Sequence, residues 1–203
     1  MPNLKVYGHT RSRVVRTLWL LEELSIPYDQ VDLSFQDGAT RKPDYLAINP
    51  AGHIPAIDDG GFKLSESMAI NLYLAKKHGK LYPADAHGEA KAWQWSFWAM
   101  HELDKPVVLW ILNSVLLPVE QRNAKLALQS REEMEWPLQV LNGELAKQPY
   151  LADPNAFTVA DLNVASVLYR LIFTDLTDKP HLDAWLKRCW DRAAAKRARA
   201  MRE

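Results

Sequence analysis

The hydrophobic period of this chain changes once, near residue 80, and that change limits it to a two-part architecture. Before it, short runs suited to strands alternate with helical stretches. Leu4-Lys5-Val6-Tyr7 reads as a strand, residues 8–12 as a turn, and residues 14–24 as a helix with Val15, Leu18, Trp19 and Leu21 on one face. Pro27 follows the helix, residues 28–33 alternate as a second strand would, and a polar stretch occupies 34–43. Residues 54–58 form a third strand, Asp59-Gly60-Gly61 a hairpin turn and 62–64 its antiparallel partner, after which Ser65-Glu66-Ser67 opens a helix reaching His78. The order β-α-β, break, β-β-α describes a compact α/β domain over residues 1–80.

Beyond it the strands stop. The segment 79–86, with Pro83 among short polar and charged residues, is the candidate linker, so the joint falls at about 81–86 and an all-helical domain fills 87–203. Helical periodicity runs over 92–103, 107–117, 124–145, 159–173 and 181–198, with Pro137 a potential kink in the third. Thr158-Val159-Ala160-Asp161 is a capping-box variant, flanked by Phe157 and Leu162 as a hydrophobic staple would be; its task is to start a helix.

Composition removes several function classes. Lys plus Arg and Asp plus Glu number 25 each, so no global field favours nucleic acid or an anionic membrane. The locally basic stretch 187–202 reads as the solvated face of a last helix. The apolar stretch at 106–117 is too short and interrupted to span a bilayer, and Met1-Pro2-Asn3-Leu4 lacks the charged-then-apolar order of a signal peptide, so a cytoplasmic address is expected. Cys189, the only cysteine, excludes an internal disulfide, and the six scattered histidines offer no ligand-spaced pair, so no metal is expected.

Asn49-Pro50-Ala51-Gly52-His53-Ile54-Pro55-Ala56-Ile57, followed by Leu64-Ser65-Glu66-Ser67-Met68-Ala69-Ile70, resembles the glutathione-site signature of the cytosolic glutathione S-transferases, with both halves at that family's separation. Residues 157–162 resemble its buried capping motif, which extends the likeness over essentially the whole chain. The opening 6–13, leading through Arg16 to Trp19-Leu20-Leu21-Glu22-Glu23-Leu24, is similar to a bacterial and fungal branch resembling the yeast Gtt-type enzymes. The resemblance implies a thioredoxin-like N-terminal domain, a helical-bundle C-terminal domain, and glutathione as co-substrate.

Glutathione carries an ammonium, two carboxylates, amides and a thiol, so its site needs a backbone edge and polar groups at its ends. The resemblance implies a cis Ile54–Pro55 bond that turns the Ile54 backbone toward the ligand's cysteinyl unit like an added strand. Glu66 and Ser67, where a turn meets a helix N-terminus, suit the γ-glutamyl end: free N–H groups and the helix dipole favour its carboxylate, and Glu66 its ammonium. Their bland alternative is a Ser65 cap with Glu66 complementing the dipole. His53 stands where many members place lysine or glutamine beside the glycyl carboxylate; otherwise it is an exposed loop histidine.

A thiol becomes a strong nucleophile at neutral pH once its thiolate is stabilised, which a hydroxyl at the start of the first helix can do. Ser12 leads, Tyr7 stands where tyrosine-type classes place their phenol, and Thr10 is third; backbone N–H groups or the Arg13 cation are further options. The competing reading of Ser12 is a helix cap. The expected activity is conjugation of glutathione thiolate to a hydrophobic electrophile, in a cleft whose lining helix begins with Trp93, Trp95, Trp98, Met100 and His101. Trp95 and Trp98 share a face, so at least one should pack internally. Glutathione-dependent peroxidase or reductase chemistry is the alternative, its thiol-transferring forms disfavoured because residues 7–12 hold no cysteine; a non-catalytic glutathione-binding scaffold is the third. A homodimer is implied by the resemblance, through helices around 67–73 and 93–103.

Overall fold

The computed structural model describes residues 3–34 and 36–202; Met1 and Pro2, and Phe35 in the polar stretch, lie outside the described residues. It divides into two compact units, one reaching Tyr82 and taking in the chain from Asp191 onward, the other Pro83–Trp190.

The first unit is built from β1 (Leu4–Tyr7), α1 (Val14–Leu24), β2 (Asp29–Val31), α2 (Pro43–Leu46), β3 (Ala56–Asp59), β4 (Phe62–Ser65) and α3 (Ser67–His78). The sheet order is β2-β1-β3-β4, with β1 parallel to β2 and the other pairs antiparallel. Leu4 and Val6 point into the core and Lys5 outward, the period-two pattern of a strand. Two strands differ from expectation. β2 shrinks to Asp29–Val31 at the sheet edge, and β3 begins at Ala56 rather than Ile54, because Pro55 has no N–H to give to the ladder. Helix α1 stops at Ser25, whose left-handed φ of 55° turns its N–H back to the Leu21 carbonyl.

The second unit contains α4 (Ala86–Trp98), α5 (Lys105–Ile111), α6 (Ala124–Leu145), α7 (Val159–Val167) and α8 (Pro180–Trp190). Where separate helices are expected over 92–103 and 107–117, α4 and α5 instead form one uninterrupted run, joined by a π-helical segment Ala99–Asp104 and extended by another, Leu112–Leu116. Pro106 lacks the N–H that an α-helix would use and clashes with the preceding turn; widening that turn absorbs it without ending the helix. Pro137 is likewise held inside α6, buried. The stretch 159–173 is α-helical only to Val167 and finishes as a 3₁₀ segment, Tyr169–Phe173. Trp95 is buried and packs edge-on against half-buried Trp98, ring centres 5.0 Å apart.

The capping box at α7 is present. Thr158 Oγ1 accepts from the Ala160 N–H (3.3 Å), and the Asp161 carboxylate accepts from the Thr158 N–H (2.9 Å). Asp161 does more than cap: its other oxygen takes the Leu151 N–H and the Trp185 indole N–H, each at 3.0 Å. These bonds tie α7, α8 and the loop before α7 around one buried carboxylate, and a buried acceptor with several donors is the condition under which such burial is tolerated.

The structure departs from the 87–203 domain boundary at its far end. The helix expected over 181–198 breaks at Asp191 and Arg192, and α9 (Ala193–Arg202) packs along α1 in the first unit. Ala194, Ala195 and Ala198 are its buried face, small enough for close approach. Nor is the basic tail only a solvated face, because three of its arginines bond to α1 or the turn before it. Among the described residues no helix is long and apolar enough to cross a membrane.

Candidate functional site

Strand register brings the motif segments to one end of the sheet. Val31, Tyr7, Ala56 and Ser65 lie side by side in a single row across β2, β1, β3 and β4. The turn 8–13 therefore leaves the sheet just after Tyr7, Ile54 and Pro55 enter it just before Ala56, and Glu66 and Ser67 follow Ser65, all at the carboxyl ends of the parallel strands. That end is where open α/β sheets characteristically bind ligands.

Packing joins these segments. Gly8 has φ 140°, and a Cβ there would stand 3.2 Å from the Cβ atoms of both Ile54 and Val14, so the first turn and the 54–55 segment are in contact through an absent side chain. The Gly8 N–H donates to the Val31 carbonyl (3.0 Å), and Gln30 Nε2 donates to the Gly8 carbonyl (3.0 Å). The Ile54–Pro55 peptide is cis.

The loop before it is braced from below. Tyr45 Oη (2.6 Å) and Asn49 Nδ2 (2.8 Å) both donate to the His53 carbonyl, leaving the His53 side chain exposed. Burial pushes the Tyr45 phenol up to about 12, so it remains a donor throughout the neutral range. Gly52, φ 64°, admits no Cβ: one would fall 2.6 Å from Arg41 Nη1 and 2.9 Å from the Thr40 carbonyl. Arg41 Nη1 also donates to the Ala51 carbonyl (3.0 Å).

At the opposite motif, Glu66 is the N-cap residue of α3 and Ser67 its first turn. Glu66 has φ 71° and ψ 112°, a conformation unusual for a residue with a side chain, and that side chain is exposed and makes no capping bond. Ser67 is buried. The first N–H groups of α3 thus face the same end of the sheet with the positive end of the helix dipole, a ready seat for a carboxylate.

The three hydroxyl candidates differ in surroundings. Ser12 is half-buried; its hydroxyl donates to the His9 carbonyl (2.6 Å) and accepts from the Val14 N–H (3.2 Å). That is a cap-like geometry, and it sets a condition: to donate to a thiolate, the proton must swing about Cβ–Oγ away from His9, giving up a bond worth about 1 kcal/mol. Tyr7 is half-buried at the end of β1, its ring centre 6.0 Å from that of Tyr45, and burial and then the Asp58 carboxylate raise its pKa. It is a phenol that can donate but resists ionisation. Thr10 is half-buried and Arg13 exposed.

Sequence reasoning overlooked Tyr45, whose role is to hold a backbone carbonyl, and Arg202, whose Nη1 donates to the Ser12 carbonyl (3.1 Å). A pattern signal was present only for Asn49, which opens the motif.

Comparison with known proteins gives matches along both parts of the chain. The family "Glutathione S-transferase, N-terminal domain" matches residues 2–76, and "Glutathione S-transferase, C-terminal domain" residues 99–193. Glutathione S-transferase 4 of Zea mays is 32% identical, over 97% of this chain and 90% of its own length. The transferase GstB of Escherichia coli is 30% identical over 96% of both. Among solved structures, the theta class glutathione S-transferase of Xanthomonas axonopodis pv. citri with glutathione bound superimposes with a TM-score of 0.89 at 28% identity, covering 98% of this chain and 97% of that one. Plant and bacterial relatives stand at similar identity, so similarity singles out no branch.

Proposed function

The chain belongs to the glutathione S-transferase family and is a glutathione transferase; on that premise we propose that it joins glutathione thiolate to a small hydrophobic electrophile. Sulfur attacks the electrophilic carbon, an S–C bond forms as the leaving group departs or a double bond opens, and the thiol proton goes to solvent. Ile54, ahead of Pro55, offers its backbone to the cysteinyl unit of glutathione. Glu66 pairs with the γ-glutamyl ammonium, Ser67 and the start of α3 receive the neighbouring carboxylate, and His53 stands by the glycyl carboxylate. Ser12 leads as thiolate donor, ahead of Tyr7 and Thr10, with Arg13 adding positive charge to the turn.

The observation that carries this reading is the row Val31, Tyr7, Ala56, Ser65, which gathers the three segments at one sheet end. Disulfide reduction through an enzyme cysteine has less support, because residues 7–12 contain none; glutathione-dependent peroxide reduction, which needs no enzyme cysteine, is the second reading. Catalysis on a water-borne thiol suits a cytoplasmic address, and we expect a homodimer.

Titration calorimetry with glutathione tests the site. The wild type should bind saturably and the double variant Glu66→Ala, Ser67→Ala should lose most of that heat; a wild type silent at millimolar ligand leaves a scaffold on a transferase fold. With an aryl halide as electrophile, Ser12→Ala should lower kcat/KM about a hundredfold and Tyr7→Phe by less than about threefold. The reverse order would transfer the donor role to Tyr7.

A further inference from the structure

Helix α9 lies antiparallel to α1 and reaches the candidate thiol-activating turn. At its start Arg192 grips Glu23 near the end of α1 through two bonds, 2.6 and 2.8 Å, and at its end Arg202 Nη1 donates to the carbonyl of Ser12, just before α1 begins. The two anchor points are about three helical turns apart on both helices, so the pairing holds along the whole length. Between them Arg197 bonds Glu22 (2.6 Å), and the buried alanines keep the backbones close.

The Ser12 carbonyl is an unusual place for a distant guanidinium. Besides Arg202 it accepts a long bond from the Val15 N–H (3.4 Å), at the point where the turn becomes helix. The same residue's hydroxyl is shared between the His9 carbonyl and the Val14 N–H. Arg202 therefore holds the peptide that aims this hydroxyl and brings a fixed positive charge to the residue that carries it. Both effects favour a thiolate placed against Ser12: orientation by holding the donor, charge by lowering the cost of ionisation.

We propose that Arg202 is a positioning residue for thiol activation, setting the thiolate population at the Ser12 turn through its bond to the Ser12 carbonyl. This rests on the glutathione reading of that turn. The test follows the near-ultraviolet absorbance of bound glutathione thiolate against pH in the full-length wild type, Arg202→Met, Arg202→Lys and Arg197→Gln, with calorimetric binding of S-methylglutathione alongside. Arg202→Met should raise the apparent pKa of the bound thiol by about half a unit or more, leaving roughly threefold less thiolate below that pKa. S-methylglutathione, which has no thiol to ionise, should bind within about twofold of wild type. Arg202→Lys, which keeps the charge and one donor, should recover part of the shift, and Arg197→Gln, which loosens α9 without touching the turn, should show none.

A wild-type thiol pKa in Arg202→Met, or an equal rise in Arg197→Gln, overturns the proposal while the glutathione site stands. A wild type that binds neither glutathione nor its S-methyl form overturns the site reading and the proposal with it. Should Arg202→Met fail to fold, Arg202→Lys and Arg202→Gln, judged by the same pKa, decide the matter.

Discussion

At the scale of single residues, Glu66 holds a backbone conformation that glycine adopts freely and glutamate does not, φ 71° at the mouth of α3. Such positions store on the order of 1–3 kcal/mol, offset by the packing around them. Glu66→Gly should therefore raise the thermal midpoint by a few degrees, about 1 kcal/mol, while weakening glutathione binding about tenfold. Differential scanning fluorimetry and calorimetry on the same preparation check both signs, and a variant that melts lower ends the strain argument. Residue-scale features were unevenly legible. Ser12, Ile54, Glu66 and Ser67 sit in segments that announce themselves by residue type and spacing. The Tyr45 brace and the Arg202 contact do not, because each ends on a main-chain carbonyl, and every residue has one of those.

Between elements, the tie from β3 to α3 turns on Asp59, which accepts from Tyr73 Oη (2.8 Å) and from Lys77 Nζ. Burial opposes ionisation of Asp59, but the bonds from Lys77 and Tyr73 outweigh it and hold the carboxyl below its ordinary value, while Lys77 is raised by the same partner. A carboxyl depressed in the folded state adds stability above its unfolded pKa, about 3.9, and loses it as pH falls through the lower folded value. Urea midpoints should drop across that acid interval in the wild type and less steeply in Asp59→Asn; identical slopes would show that the tie has no part in acid stability. Element boundaries were readable where period and punctuation agree, as in α1, where the residues 14–24 expected are those observed. They were not readable where a proline argues for a stop that a π turn renders unnecessary, as at Pro106, nor at Asp191, where tertiary bonds from Arg192 decide the break.

For the whole molecule, the exposed aromatic side chains bear on assembly. Trp93 and Phe97 stand one turn apart on α4 with 44% and 63% of their surfaces exposed, and Phe62 on β4 is half exposed. Trp93 and Phe97 make an apolar strip on α4 to be covered, and the expected homodimer supplies a cover. Sedimentation should give twice the chain mass for the wild type at micromolar concentration and a shift toward the single-chain mass for Phe97→Glu; an unchanged mass would move the interface elsewhere.

The return of the chain from Asp191 onward to the first unit also sets an order of events at the ribosome. Glu23 and Arg192 are 169 residues apart, so at 5–20 residues per second the partner of α1 emerges roughly ten to thirty seconds after α1 itself. Throughout that interval α1 lacks its α9 partner and the Ser12 carbonyl its bond from Arg202. The candidate thiol-activating turn is therefore among the earliest segments made and among the last to receive its final support.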